Sequence, residues 1–282
     1  EMIKMKKSKI LKIVLVLILL WLCKPFTIVL LGTDDWNKKA EARTDSIVVL
    51  KVTPLLGKIR MLSIPRDTYT EIPCEDGKLD KINHAYHFGA LNKEGSEKAK
   101  INAGRKCSVK AIEQLLHTKI NYSFVYGFMD VINITNILGG VEIVANNTFT
   151  QDGHSFKKGE SYNIQGDQAL AYVRNRHSDS AFKRDERQRA VLAAIERKML
   201  SPKGASKLPE IMIYGKDNMS MNINPLRAIS MIVPILVTGS NFDTYELVSD
   251  EWEGGKMLNG IYYYVPDPNK LDIARSAFKV YF

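Results

Sequence analysis

The chain has 282 residues, 45% of them hydrophobic and 25% charged, with a net charge of +9. That is long and apolar enough to bury a substantial core, which excludes a disordered chain and a small disulfide scaffold. Lys4, Lys6, Lys7, Lys9 and Lys12 crowd the first twelve residues against Glu1 alone, so the body is only mildly basic and lacks the clustered footprint of a nucleic-acid binder.

The basic segment 1–12 runs into residues 13–23, all apolar, before Lys24 and Pro25 interrupt. Positive charge ahead of an apolar run reads as a membrane anchor over 13–25, with the N-terminus cytoplasmic and the body outside. Eleven apolar residues alone match a signal-peptide core. No small-x-small cleavage site follows, however, and starting at Ile10 with Lys12 snorkelling lengthens the run. An uncleaved single-pass anchor is expected, with a cleaved signal as the alternative. Residues 26–282 then form one extracytoplasmic domain, with a motif-bearing core over 26–200 and a C-terminal part over 201–282. In an oxidising compartment Cys74 and Cys107 can form a disulfide, which would staple the poorly patterned tract 92–104; two free thiols are the alternative.

Strands are predicted at 26–31 (FTIVLL), 46–52 (SIVVLKV) and 58–64 (KIRMLSI), the last ended by Pro65. The Asp-rich loop after the first strand and the Arg66–Asp67 pair after the third both fall at strand C-terminal ends, where open α/β sheets place ligands. A helix over 108–116 with Ser108 as its cap, a strand over 122–128 and a helix over 128–138 stopped by Gly139 and Gly140 come next. A short strand at 141–144, a strand at 171–174, a helix over 185–200, a helix over 224–237, strands at 245–248 and 260–265 and a closing helix over 271–280 complete the pattern. Alternation of this kind predicts an α/β fold, a central mixed sheet flanked by helices.

The chemistry lies in charged residues beside these elements. Arg66 sits in SIPRDTY, Arg174 and Arg176 in YVRNRH, and Arg184, Arg187 and Gln188 in RDERQR. Guanidinium groups bind phosphate through a planar fork of donors. In an extended segment Arg174 and Arg176 would face the same way and suit one anion; a solvated edge paired with Asp179 is the competing reading. Arg184 and Arg187 would project from a helix N-terminus, itself favourable to anions, or would belong to a self-neutralising charged face. Asp34 and Asp45 are hard oxygen donors of the kind Mg²⁺ prefers, or else loop caps. Lys81 in DKIN is a further phosphate candidate. His84 and His87 lack a third ligand at metal spacing. Neither a nucleophile triad nor a Gly-rich phosphate loop is present.

The ordered segments IVLLGTD, RTDSIVVLKV, KIRMLSIPRDTYTEIP, DKINHAY, ILGGVEIV, GDQALAYVRNRH and RDERQRAV resemble the LytR–CpsA–Psr family of bacterial cell-envelope proteins. That resemblance implies a membrane-anchored, outward-facing phosphotransferase moving a teichoic acid, capsular polysaccharide or similar glycopolymer from undecaprenyl pyrophosphate to peptidoglycan, with Mg²⁺ (or Mn²⁺) as cofactor. It implies Asp34 and Asp45 as metal ligands and Arg66, Lys81, Arg174, Arg176, Arg184, Arg187 and Gln188 as the pyrophosphate site. Arg66, Asp45, Arg174 and Arg176 are the catalytic candidates. Two departures stand out: Ser180 and Ala181 occupy the place where relatives often have Gly-Asp, and the anchor runs almost directly into the first strand. The rivals are a polyprenyl-pyrophosphate phosphatase, a non-catalytic glycopolymer-binding protein and a transcriptional regulator. For the regulator, the dozen residues before the anchor are too few to form a helix-turn-helix domain.

Overall fold

The computed structural model describes residues 2–33, 39–175, 181–232, 236, 243–247 and 254–279. Helix α1 (Met2–Cys23) leads into β1 (Phe26–Thr33), β2 (Thr44–Thr53) and β3 (Lys58–Ser63), followed by the hairpin of β4 (Tyr69–Ile72) and β5 (Lys78–Lys81). Helices α2 (His84–Leu91) and α3 (Glu97–Leu116), strand β6 (Tyr122–Gly127) and helix α4 (Phe128–Ile137) come next. A run of short strands, β7 (Val141–Val144), β8 (Phe149–Gln151), β9 (His154–Phe156) and β10 (Ser161–Ile164), precedes α5 (Gly166–Arg174) and α6 (Ala181–Met199). The C-terminal part carries α7 (Pro202–Ala205), α8 (Leu208–Asn218), β11 (Ser220–Met221), α9 (Pro225–Ile229), β12 (Asp243–Glu246), β13 (Gly255–Leu258), β14 (Ile261–Tyr264) and α10 (Pro268–Phe278).

The central sheet has the order β11-β6-β1-β2-β3-β12. Strand β1 runs antiparallel to β2 and parallel to β6, while β3 runs antiparallel to β2 and parallel to β12. The sheet is therefore mixed and covered on both faces, the α/β architecture expected from the alternating pattern. Ile28, Leu30, Val48, Leu50 and Phe124 pack on one face against residues of α4, α5, α6 and α8. Val29, Leu31, Ile47, Val49 and Val125 pack on the other against α2, α3 and α10. Double coverage explains why β1 and β2 read as continuous apolar runs rather than alternating ones. At Gly32 a Cβ would lie 2.9 Å from Leu192 Cδ1. A side chain there would have to displace the Leu192 methyl.

Two local expectations change. Helix α3 begins at Glu97, not at Ser108; Ser96 is its cap, accepting from Ala99 N at 3.3 Å, and Ser108 is buried mid-helix. The early turns of α3 are polar because they face solvent, so they lack the apolar stripe that signals a helix. Residues 171–174 belong to α5 rather than to a strand, because Ala169, Tyr172 and Val173 pack with helical spacing on the core. Of the helix expected over 224–237, α9 forms the first part, Ile232 and Leu236 are also helical, and residues 233–235 and 237 lie outside the described residues.

Cys74 and Cys107 are joined in a disulfide that ties the turn after β4 to α3, with Cα atoms 5.9 Å apart. Closing a loop of this length restricts the unfolded chain by about 3–4 kcal/mol. The Cys74→Ser/Cys107→Ser double variant should lose about that much in urea unfolding; a change within 1 kcal/mol, roughly the scatter of neutral substitutions, would mean the crosslink is idle.

Among the described residues no helix is long and apolar enough to cross a membrane. Helix α1 covers the segment read as an anchor, but lysines interrupt its apolar run. From Ile10 to Trp21 its large hydrophobic side chains are exposed.

Candidate active site

The turn after β3 carries Arg66 and Asp67. Thr68 closes it through its backbone N–H and its hydroxyl, both donating to Pro65 O at 3.0 and 2.6 Å. Neighbouring chains clamp it further: Asn83 N donates to Arg66 O at 3.2 Å, and Tyr264 N donates to Asp67 O at 2.9 Å. With its backbone held on two sides, the turn presents its side chains in a fixed direction. Arg66 Nη1 donates to Asp45 Oδ2 at 2.7 Å, and Arg66 Nε lies 3.6 Å from Asp67 Oδ2. Lys81 Nζ meets the other Asp67 oxygen at 2.7 Å. The Tyr263 ring packs by Lys81, 5.7 Å from Nζ to centroid. Asp45, the second residue of β2, is only 6% exposed, whereas Arg66 keeps 29% of its side chain in solvent. The result is a row of alternating charges, Asp45, Arg66, Asp67 and Lys81, gathered from β2, the β3–β4 turn and β5. Its two cations remain accessible to an anion.

Below this row lies a cavity of 410 Å³ lined by Asp45, Ser46, Arg66, Asp67 and Glu196 among others. Glu196 was not anticipated. Its carboxylate accepts from Ser46 Oγ at 2.9 Å and from Tyr126 Oη at 2.5 Å. Burial pushes its pKa up from 4.5 to about 7, and the two hydroxyl donors only partly oppose that. The same burial, with Glu196 beside it, raises Tyr126 well above its ordinary value. A sequence signal existed: Leu192, Ile195, Glu196 and Met199 share the buried stripe of α6, and an acid in such a stripe is out of place on packing grounds alone.

The raised acid has a stability consequence. Between pH 4.5 and about 7 the folded chain keeps a proton that the unfolded chain has released. The stabilisation is full below that window and is lost as pH rises through it. Glu196→Gln keeps an acceptor for both hydroxyls and removes the titration. Its stability relative to wild type should therefore rise by about 3 kcal/mol between pH 4 and pH 8, read from urea unfolding at each pH. A difference independent of pH would refute the assignment.

The remaining candidates divide between described and undescribed residues. Arg174 is the exposed last residue of α5, so the strand alternation that aimed it alongside Arg176 does not apply. Asp34, Arg176 and Asp179 lie outside the described residues, as does the side chain of Arg184. Helix α6 begins at Ala181, so Arg184 falls in its first turn and Arg187 one turn further in. Arg187 is 0% exposed. Its guanidinium donates to Tyr172 O at 3.1 Å, Asn175 O at 2.8 Å and Asn146 Oδ1 at 3.3 Å, and lies 5.0 Å from the Phe149 ring centroid. It ties down the end of α5, the segment bearing Arg174, and is turned away from solvent. Gln188 is also buried, and its Nε2 has no hydrogen-bond partner among the described residues.

For a metal, the described residues offer no group of three acidic, histidine or cysteine side chains. Asp45 fits as one hard oxygen ligand. Thr33, the last described residue before Asp34, pairs with Thr44 beside Asp45; Asp34 itself lies outside the described residues.

A second cavity, of 740 Å³, flanks the β11 side of the sheet. Leu208, Met212, Ile213, Met219, Met221 and Ile223 make it largely apolar, and Val125 to Gly127 form part of its wall. Those β6 residues pair with Leu31 to Thr33, so this cavity meets the same sheet edge as the charged row.

The fold is that of a known protein family. The LytR_cpsA_psr family matches residues 6–279. A polyisoprenyl-teichoic acid–peptidoglycan teichoic acid transferase, TagU, of Bacillus cereus is 34% identical over 253 residues, which is 89% of this chain and 77% of the relative. The crystal structure of B. subtilis TagV superposes with a TM-score of 0.68 at 27% identity, covering 91% of this chain and 96% of that one. A family protein, YwtF (TagT), solved with bound octaprenyl pyrophosphate lipid superposes at 0.57 with 25% identity, covering 90% and 89%. The chain belongs to the LytR_cpsA_psr family and, in the company of these relatives, is a transferase.

Proposed function

We propose that this protein is a membrane-attached phosphotransferase that moves an anionic glycopolymer, of the teichoic-acid or capsular kind, from an undecaprenyl-pyrophosphate carrier to a hydroxyl of peptidoglycan. The observation that carries this reading is Arg66, fixed between Asp45 and Asp67 yet open to solvent, with Lys81 one carboxylate away. The bound octaprenyl pyrophosphate in the TagT structure and the activity named for TagU support it.

In this mechanism Arg66 and Lys81 hold the diphosphate. The acceptor hydroxyl attacks the phosphorus that carries the glycan, and the bridging P–O bond breaks. The glycan leaves as a phosphodiester on peptidoglycan and the lipid as a monophosphate. The hydroxyl proton passes to a carboxylate of the row, Asp45 or Asp67. The two cations stabilise the charge growing on the leaving oxygen, which is electrostatic catalysis of an in-line transfer. Mg²⁺ would be held by Asp45 and Asp34 with diphosphate oxygens, and would supply further charge neutralisation; Mn²⁺ suits the same oxygen donors. The polyprenyl tail takes the apolar 740 Å³ cavity. Arg174 and Arg176 complete the anion site from the α5 side. Helix α1 inserts in the membrane and keeps the domain on the outer surface of a bacterial cell.

The test is a ligation assay with a short lipid-pyrophosphate glycan and a peptidoglycan oligomer, in the presence and absence of Mg²⁺. Glycan joined to peptidoglycan with release of lipid monophosphate is the expected product. Phosphate release without ligation would make the protein a pyrophosphatase, and tight glycan binding without turnover a scaffold.

A further inference from the structure

Helix α1 leaves the domain at the end of the sheet opposite the charged row, and it is latched there. Arg227 donates to the carbonyls of Trp21, Leu22 and Lys24. Its guanidinium lies 4.9 Å from the Trp21 ring centroid and 4.2 Å from that of Phe26. A helix C-terminus presents unpaired carbonyls and a partial negative charge. One buried arginine satisfies both and fixes the exit angle.

Around this exit the domain surface is apolar where a water-facing surface would be polar. Leu55 and Leu56, in the Pro54–Leu56 turn between β2 and β3, are 75% and 65% exposed, and α1 packs against that turn. Leu226, next to Arg227, is 53% exposed. Lys24 and Lys58 are exposed beside them. Helix α1 is apolar all round from Ile13 to Trp21 and so has no polar face on which to lie along a surface. Its apolar run from Ile10 to Cys23 covers only about 21 Å at 1.5 Å per residue, against a hydrocarbon core of about 30 Å. A short insert draws the bilayer and its own flanking surface together.

We propose that the Leu55–Leu56 turn and Leu226 form a bilayer-docking edge. This edge sinks into the boundary between headgroups and acyl chains of an anionic membrane and makes up the shortfall of α1. Lys24 and Lys58 meet the lipid phosphates, and Arg227 holds helix and edge as one body. The inference rests on the reading of α1 as a membrane insert. It has a consequence for the reaction. Asp45 and Thr53 lie at opposite ends of β2, so the charged row stands about 27 Å above the docked edge at 3.4 Å per residue. The apolar cavity bridges that height, with Pro225 and Ala228 beside the latch and Gly127 at the reactive edge. A prenyl tail leaving the bilayer at this edge has an apolar path to the site.

The full chain, reconstituted in phosphatidylglycerol-containing vesicles with nitroxide-labelled acyl chains, tests the proposal. Single cysteines at Leu55→Cys, Leu226→Cys, Leu19→Cys and Leu79→Cys, in a Cys23→Ser background, carry an environment-sensitive fluorophore. Leu79 is exposed on β5, at the reactive end. Quenching at positions 55 and 226 should exceed that at 79 several-fold, with quenching at 19 strongest. If positions 55 and 226 match 79 while 19 is quenched, the docking edge is overturned and the anchor stands. If 19 is unquenched, the anchor reading falls and the docking edge with it.

Discussion

Arg66→Ala should slow transfer by about 10²–10³-fold, the usual loss when one preorganised charge is removed from a reacting oxyanion. The physical case is the geometry of the turn. Arg66 is not a surface arginine that samples many rotamers: Asp45 and Asp67 hold it from two sides, and Asn83 and Tyr264 fix the backbone beneath it. That arrangement is ready before the diphosphate arrives, so no reorganisation is required as charge develops. Removing the guanidinium also leaves the nearly buried Asp45 carboxylate without its 2.7 Å donor, a stability cost of about 1–3 kcal/mol. The two effects separate in one experiment, with ligation rate and urea unfolding measured on the same preparation. Arg66→Lys restores the charge but not the two-sided fork, and should recover stability better than rate. If rate follows unfolded fraction across both variants, Arg66 is a structural residue and the mechanism fails.

Arg187→Ala should be the most destabilising single change, costing about 3–5 kcal/mol. The substitution strands two carbonyls, Tyr172 O and Asn175 O, that now accept from a fully buried guanidinium, and opens a void beside the Phe149 ring. Arg187→Lys fits one of these contacts and should fall between the two. Urea unfolding distinguishes this role from direct pyrophosphate binding. A variant that unfolds within 1 kcal/mol of wild type, roughly the scatter of neutral substitutions, yet fails to bind a lipid pyrophosphate would return Arg187 to the anion site. In the structural role, lost activity follows lost order at the end of α5, where Arg174 sits.

These two arginines show what could be read in advance. Both carry the same charge in short charged motifs, SIPRDTY and RDERQR, and nothing in those motifs separates an arginine open to solvent from one that clamps carbonyls. The difference lies in neighbours brought by α5 and the β7–β8 connection, distant in the chain. Glu196 is intermediate: its place in a buried stripe was visible, but its partners Ser46 and Tyr126 come from strands 150 and 70 residues away. The error at 171–174 has a similar origin. A short segment with few apolar residues carries too little periodicity to tell strand from helix, and packing on the core settled it.

What the amino-acid order determined by itself was local and repetitive. The apolar runs of β1 and β2, the Pro65 stop before Arg66, the glycine pair after α4 and the basic start before an apolar helix all follow from backbone sterics, side-chain period and the cost of burying charge. Tertiary structure alone decided that Asp45 meets Arg66, that Asp67 links Arg66 to Lys81, and that Arg187 turns inward. Those outcomes depend on distances between segments far apart in the chain, and such distances exist only once the sheet has brought its edges together.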